Sequence, residues 1–238
     1  MSTVPTLVIP GDTLPIADGE VTLRLGPGLT QTGNTVQAVQ AGRVQHNPHG
    51  NRWWVNSSKK RYVPSTGEPV IGTVVGRSAD YYRVDIGSAH SALLPVLAFE
   101  GATKRNRPNL NVGAVVYGRL TLAHTYMEPE IECYNSTTGK ADGYGELQGG
   151  FVIQVSLHLC QRLMNPSTKV LDVLGSHIPL DVAVGLNGRI WIHTDSTKNT
   201  IAAANAIRHS EFLDASECHA MVKRIISTTH TSEPMETD

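Results

Sequence analysis

Between Val70 and Tyr134 the chain runs through five short apolar-rich segments separated by turn residues and one long polar loop, and this layout restricts the fold more than any other feature. The segments are Val70–Val75, Tyr81–Ile86, Ala92–Val96, Ala114–Leu122 and Glu130–Tyr134. In the second, Tyr81, Arg83 and Asp85 fall on one face and Tyr82, Val84 and Ile86 on the other, the two-residue period of a half-buried strand. Five such strands, with the long loop Glu100–Asn111 among them, are what a small Greek-key barrel of the OB type requires. Residues 67–147 are therefore expected to form that barrel, and the Gly- and Asp-rich stretch Thr138–Gly150 reads as a linker.

The flanks follow different rules. Residues 1–66 read as a β domain: Leu7-Val8-Ile9 meets the turn signal Pro10-Gly11-Asp12, and Val21–Leu25 is a strand ending at Gly26-Pro27-Gly28. Thr35–Val44 forms another strand, His46–Asn51 a loop, and Arg52–Val55 a strand before the basic run Lys59-Lys60-Arg61. Residues 148–238 are mixed α/β. Phe151–Leu157 is a strand, His158–Met164 a short helix stopped by Asn165-Pro166, and Lys169–Leu174 the start of another helix. Leu180–Val184 and Arg189–His193 are strands around Gly185-Leu186-Asn187-Gly188. Ser196–Phe212 is a helix with Ile201, Ala204, Ala206 and Ile207 as its apolar positions. Ala215–Ile226 is a last helix capped by Ser216, ahead of a polar tail. The fold class is thus mostly β with a C-terminal α/β domain.

Charge limits the function. The formal net charge is −1, and it divides as +3 over residues 1–66 and −2 over each of 67–147 and 148–238. A protein that grips nucleic acid unaided through many phosphates is usually basic, so any RNA contact here is local or shared with partners. Cys133, Cys160 and Cys218 are odd in number and widely spaced, without a CxxC pair, so neither a disulfide framework nor a zinc knuckle is expected. No signal peptide and no membrane-length apolar run is present, which points to a reducing compartment and to no membrane partner. The chain lacks a P-loop, GxSxG and HExxH, and its acids are scattered, none closer than the spacing of Glu128 and Glu130. A metal-dependent ribonuclease needs clustered carboxylates, so no catalytic, metal or cofactor site is expected.

Three features are candidates for RNA contact. Lys104-Arg105-Asn106-Arg107 places three cations within four residues of a polar loop, where phosphates attract them and arginine can stack on bases; a solvated loop or a protein contact is the competing reading. Tyr81 and Tyr82 lie on a barrel strand of the kind that offers stacking platforms, but neighbours on a strand face opposite ways, so only one can reach a ligand. Gly185-Leu186-Asn187-Gly188 matches the GxxG clamp of KH domains, yet that clamp leads into a helix, whereas Asn187-Gly188 between two strands is a hairpin signal; a structural turn of type I′ is the better-supported reading. His46 and His49 lack the further ligands a metal would need, and Cys218-His219 on one helix do not face each other.

Two segments carry a resemblance to a known family. Phe99-Glu100-Gly101-Ala102-Thr103-Lys104-Arg105-Asn106-Arg107-Pro108-Asn109 and Gly185-Leu186-Asn187-Gly188-Arg189-Ile190-Trp191-Ile192 resemble the S1/KH cap subunits of the eukaryotic RNA exosome, of the exosome component 3 type. Val8–Asp12, Lys60–Pro64 and Met127–Glu130 are similar to the same family, and the pieces run in family order over nearly the whole chain. The resemblance implies an N-terminal β domain, an S1 domain of OB type and a KH-type domain. It also implies a non-catalytic role at the entrance for single-stranded RNA. The implied partners are a ring of RNase PH-like subunits, other S1/KH cap subunits and separate exoribonucleases, in nucleus, nucleolus and cytoplasm. A free-standing S1-type RNA-binding protein of translation or ribosome assembly is the alternative, and an independent ribonuclease or phosphorolytic enzyme a third.

Overall fold

The computed structural model describes residues 7–15, 23–33, 35–47, 50–57, 59–124, 126–165, 170–213, 217–218, 220–222 and 224–225. The chain divides into two compact units, residues 1–59 and 60–238.

Among its described residues the first unit contains the short strands β1 (Leu7–Val8), β2 (Thr13–Leu14), β3 (Arg24–Leu25), β4 (Leu29–Thr32), β5 (Thr35–Ala38), β6 (Gly42–Asn47) and β7 (Arg52–Asn56). They form two sheets, ordered β1-β6-β7-β3 and β2-β5-β4. Alternate residues Val8, Leu14, Val36, Ala38 and Val55 turn inward to make the core. The single strand expected over Thr35–Val44 is two strands in different sheets. The chain leaves one sheet at exposed Val39, whose N–H donates to the Gly28 carbonyl, and joins the other at Gly42. His46 and Asn47 are not in a loop either: they end β6, and the His46 ring stacks on Trp53 with centroids 4.0 Å apart. β2 and β4 were too short to show a period. Val21, Thr22 and His49 lie outside the described residues.

The second unit contains the barrel and the α/β part together. β8 (Pro69–Arg77), β9 (Tyr81–Asp85), β10 (Ala92–Pro95), β11 (Val115–Leu122) and β12 (Glu130–Glu132) close on themselves: β8 pairs β9 and β11, β9 pairs β10, and β12 pairs both β10 and β11. Val74, Tyr82, Val84, Leu94, Val116 and Ile131 fill the interior. The expected linker is part of this sheet. β13 (Gly145–Leu147) pairs Val115–Tyr117 of β11, the stretch of that edge which β12, paired from Arg119 onward, leaves uncovered. Glycine richness there marks turns rather than slack: Asn135 and Thr138 both donate to the Asp142 carboxylate, and Asp142 itself has φ +48°.

The α/β part runs β14 (Phe151–Gln154), α1 (Leu157–Leu163), α2 (Val170–Gly175), β15 (Asp181–Gly185), β16 (Arg189–His193) and α3 (Thr197–His209), with a 3₁₀ turn at Ser210–Phe212. Its antiparallel sheet is ordered β14-β16-β15. Ser156 caps α1 by accepting from the Leu159 N–H at 3.0 Å. On α3 the buried stripe is Ala202, Ala203, Ala204, Ala206 and Ile207, and Ile201, expected inside, is 56% exposed. Described residues between 217 and 225 are helical, while Ala215, Ser216, His219 and the tail from 226 lie outside the described set. Among the described residues no helix is long and apolar enough to cross a membrane.

Candidate nucleic-acid interface

The basic loop is braced at its base and exposed at its tip. The Thr103 N–H donates to the Asn106 carbonyl, and the Asn106 N–H to the Thr103 hydroxyl, both at 3.0 Å. This turn projects Lys104, Arg105 and the Asn106 side chain into solvent. Arg107 is also exposed, but its guanidinium donates to the Ala79 carbonyl at 3.1 Å, tying the loop to the β8–β9 turn. Two further ties hold the same stretch: Arg77 donates to the Asn109 side chain, and the Tyr82 hydroxyl donates to the Pro108 carbonyl and accepts from the Leu110 N–H. Between the walls lies a cleft of about 500 Å³, lined by Arg77, Ser78, Ala79, Tyr82, Val96, Arg107, Pro108 and Asn109. None of these residues is acidic.

The two tyrosines part company. Tyr82 is 1% exposed, so its ring is core and offers no face to a base; its place among the RNA contacts is corrected on that ground. Tyr81 is 37% exposed on the outer face of β9, beside exposed Arg83. Asp85, third on that face, is engaged elsewhere, by Arg189 at 2.6 Å. Partial burial would raise the Asp85 pKa, but the hydrogen bonds from Arg189 and the Gly87 N–H, and the Arg189 charge, outweigh it and hold the carboxyl below its ordinary value.

Gly185-Leu186-Asn187-Gly188 is a joint within the second unit. The last strand pair is Gly185 with Arg189, so the turn has three residues, and only Gly188 among them has positive φ, at +79°. This is a three-residue hairpin with glycine in the left-handed position, not the two-residue type I′ turn expected from Asn-Gly. The geometry frees Asn187 to point into the barrel wall. Its side chain is buried, accepts from the Ile71 N–H at 3.2 Å, and donates to the Ile71 and Ile86 carbonyls at 2.7 and 2.9 Å. Leu186 N–H donates to the Pro69 carbonyl, and Arg189 also donates to the Asp85 carbonyl at 2.7 Å. Trp191 packs with Ile71 and Ala183, and its ring N–H reaches the Gly149 carbonyl. The segment 164–169, between α1 and α2, contains no glycine, and its residues 166–169 lie outside the described set.

The cysteines are packing groups. Cys133 and Cys160 are buried, which pushes both thiols up to about 12, and Cys218 is buried against the Leu213 carbonyl at 3.7 Å. Among the described residues no three His, Cys, Asp or Glu side chains gather as metal ligands.

Comparison with known proteins accounts for this architecture. Residues 62–145 match the family model "Exosome complex component RRP40, S1 domain", residues 150–198 a KH domain, and residues 23–61 the "Exosome complex exonuclease Rrp40 N-terminal domain". The chain is 44% identical to the exosome complex component rrp40 of Schizosaccharomyces pombe over 227 residues, 91% of this chain and 94% of that one. The chain belongs to the RRP40 family of exosome complex components. RRP40 of Saccharomyces cerevisiae is 37% identical, over 85% of this chain and 87% of its own. A crystal structure of a "putative exosome complex RNA-binding protein" superposes with a TM-score of 0.60, covering 73% of this chain and 99% of the other; at 22% identity it speaks for the fold alone.

Sequence reasoning had singled out the basic loop but not the wall opposite it. Arg77 is the last residue of β8, just before the Ser78-Ala79-Asp80 turn, and only that position hints at a rim residue. For Asn187 and Arg189 no local signal exists, since their partners lie 101 to 116 residues away.

Proposed function

We propose that this member of the RRP40 family is a non-catalytic RNA-binding cap subunit of an exosome, guiding single-stranded RNA toward separate 3′–5′ exoribonuclease subunits. Lys104, Arg105 and Arg107 contact the RNA backbone, with Tyr81 offering a stacking face beside them and Asn106 shaping the loop. The observation that carries this is the exposed, internally braced cationic loop at the mouth of a cleft without acidic lining. Asn187 acts within the protein rather than on RNA. RNase PH-like ring subunits and other S1/KH subunits are the protein partners, and the domains run 1–66, 67–147 and 148–238. The compartments are nucleus, nucleolus and cytoplasm.

Changing Lys104, Arg105 and Arg107 together to Ala tests the reading. Folding and assembly should be intact, because the three side chains are exposed. Capture of long RNA by the assembled complex should weaken, similarly for all sequences, and the deficit should shrink at high salt. A triple variant that assembles and captures long RNA normally in low salt removes the loop from the interface. The purified chain, alone, should degrade no RNA with magnesium or phosphate present; turnover abolished by substituting one of its own residues refutes the non-catalytic role.

A further inference from the structure

We propose that the cleft between residues 77–79 and 107–109 is a subsite for one phosphate group of an RNA strand, held jointly by Arg77 and Arg107. The proposal rests on the basic loop being an RNA contact, and it adds a residue from the opposite wall. Each guanidinium is fixed by one bond across the cleft: Arg107 donates to the Ala79 carbonyl at 3.1 Å and Arg77 to the Asn109 side chain. A guanidinium carries five N–H donors in a planar fork that matches phosphate oxygens, so one such tie leaves most of the fork for a ligand. Pre-positioning also reduces the side-chain ordering that binding would otherwise cost.

The surroundings suit an anion. Tyr82 and Val96, 1% and 5% exposed, form a dry floor behind the two charges, where screening by water is weaker. Two cations and no carboxylate line the cleft, and the Ser78 side chain lies on the same rim. By contrast, the groove of about 570 Å³ between β14 and α3 carries both Arg208 and Asp195, which offset each other. An RNA strand lying along Lys104 and Arg105 would therefore drop one phosphate between Arg77 and Arg107, whatever its sequence.

The test uses the reconstituted complex containing the full chain and a fluorescein-labelled single-stranded oligouridylate, with Kd measured against salt. Arg77→Gln should raise Kd about three- to tenfold in low salt and reduce the salt slope by about 0.7, as loss of one phosphate contact does for single strands. Its thermal melt should be unchanged. Arg77→Lys should restore the slope but only part of the affinity, since it keeps the charge and loses the fork. R77Q combined with R107Q should weaken binding by less than the product of the single effects, because both lose the same phosphate. If R77Q binds with unaltered Kd and slope while the triple loop variant is weakened, the subsite is wrong and the loop reading stands. If the triple variant is unaffected as well, both fall. Fully multiplicative effects overturn the shared phosphate, and an R77Q chain that folds but fails to enter the complex makes the cleft a protein interface and overturns the proposal.

Discussion

Asn187 shows how much one side chain can hold together. Its amide uses one acceptor and both donors on backbone groups of the barrel, Ile71 and Ile86, that lie 101 to 116 residues away along the chain. Truncating it leaves a buried N–H and carbonyls without partners, and unsatisfied buried groups cost about 1–3 kcal/mol. Asn187→Ala should therefore lower the unfolding free energy by about 2–4 kcal/mol in urea titrations, by the same accounting. An unchanged midpoint would remove Asn187 from the joint. Gly188→Val should cost about 1–3 kcal/mol for a strained backbone. Its φ is +79°, and a Cβ there would sit 2.9 Å from the Val155 carbonyl oxygen. A melt unchanged by that substitution, together with lost RNA capture, would favour the clamp over the turn. Cys133 and Cys160, with pKa values near 12, stay protonated at neutral pH, so thiol reagents should label the native chain slowly and the urea-unfolded chain fast.

At the scale of elements, α3 separates what a helical pattern says from what packing uses. Ile201 and Ile207 are both isoleucines on a clear helix, but Ile207 is 0% exposed and Ile201 56%. Ile207→Ala should cost about 2–5 kcal/mol, the range for emptying a packed site, whereas Ile201→Ser should stay within about 0.5 kcal/mol. Equal losses by calorimetry would mean that the Ile201 face is covered. Ala203, Ala204 and Ala206 pack in the same core as the sheet and let the helix sit close to it, which a periodicity count weighted toward large apolar residues overlooks. β13 teaches a related lesson. A three-residue strand among glycines has too few side chains to alternate, and it exists because the β11 edge offers unpaired backbone groups for it to meet.

For the whole molecule, the division at Lys59 and Lys60 predicts how the chain comes apart. Lys59, Lys60 and Arg61 are exposed, so brief trypsin treatment should cut there first and leave a resistant fragment beginning near residue 60. Early cleavage between the barrel and the α/β part instead would deny that Asn187, Arg189 and Trp191 weld them. The Asp85–Arg189 pair adds a pH signature. The folded pKa of Asp85 lies below the ordinary carboxylate value of about 3.9. Its contribution is therefore complete above that value and is lost as pH falls through the lower folded value. The side chain of Asp85 is 45% exposed, so screening keeps the Coulombic part to about 1 kcal/mol or less. Asp85→Asn should destabilise at neutral pH, and the gap to the unmodified chain should narrow in acid.

Local chemistry alone determined the barrel strands, with Tyr82, Val84 and Ile86 inward and Tyr81 and Arg83 outward, because a two-residue period and turn residues act over a few positions. It also placed the exposed cationic loop, since three charges within four residues cannot be buried together. Tertiary structure decided the rest: that β5 and β6 belong to different sheets, that β13 finishes an edge, that Arg77 faces Arg107 across a cleft, and that the Asn187 turn is a weld. Each of these depends on a partner far along the chain. The energy of a hydrogen bond or a packed face appears only when both halves are present, and no window of sequence contains both.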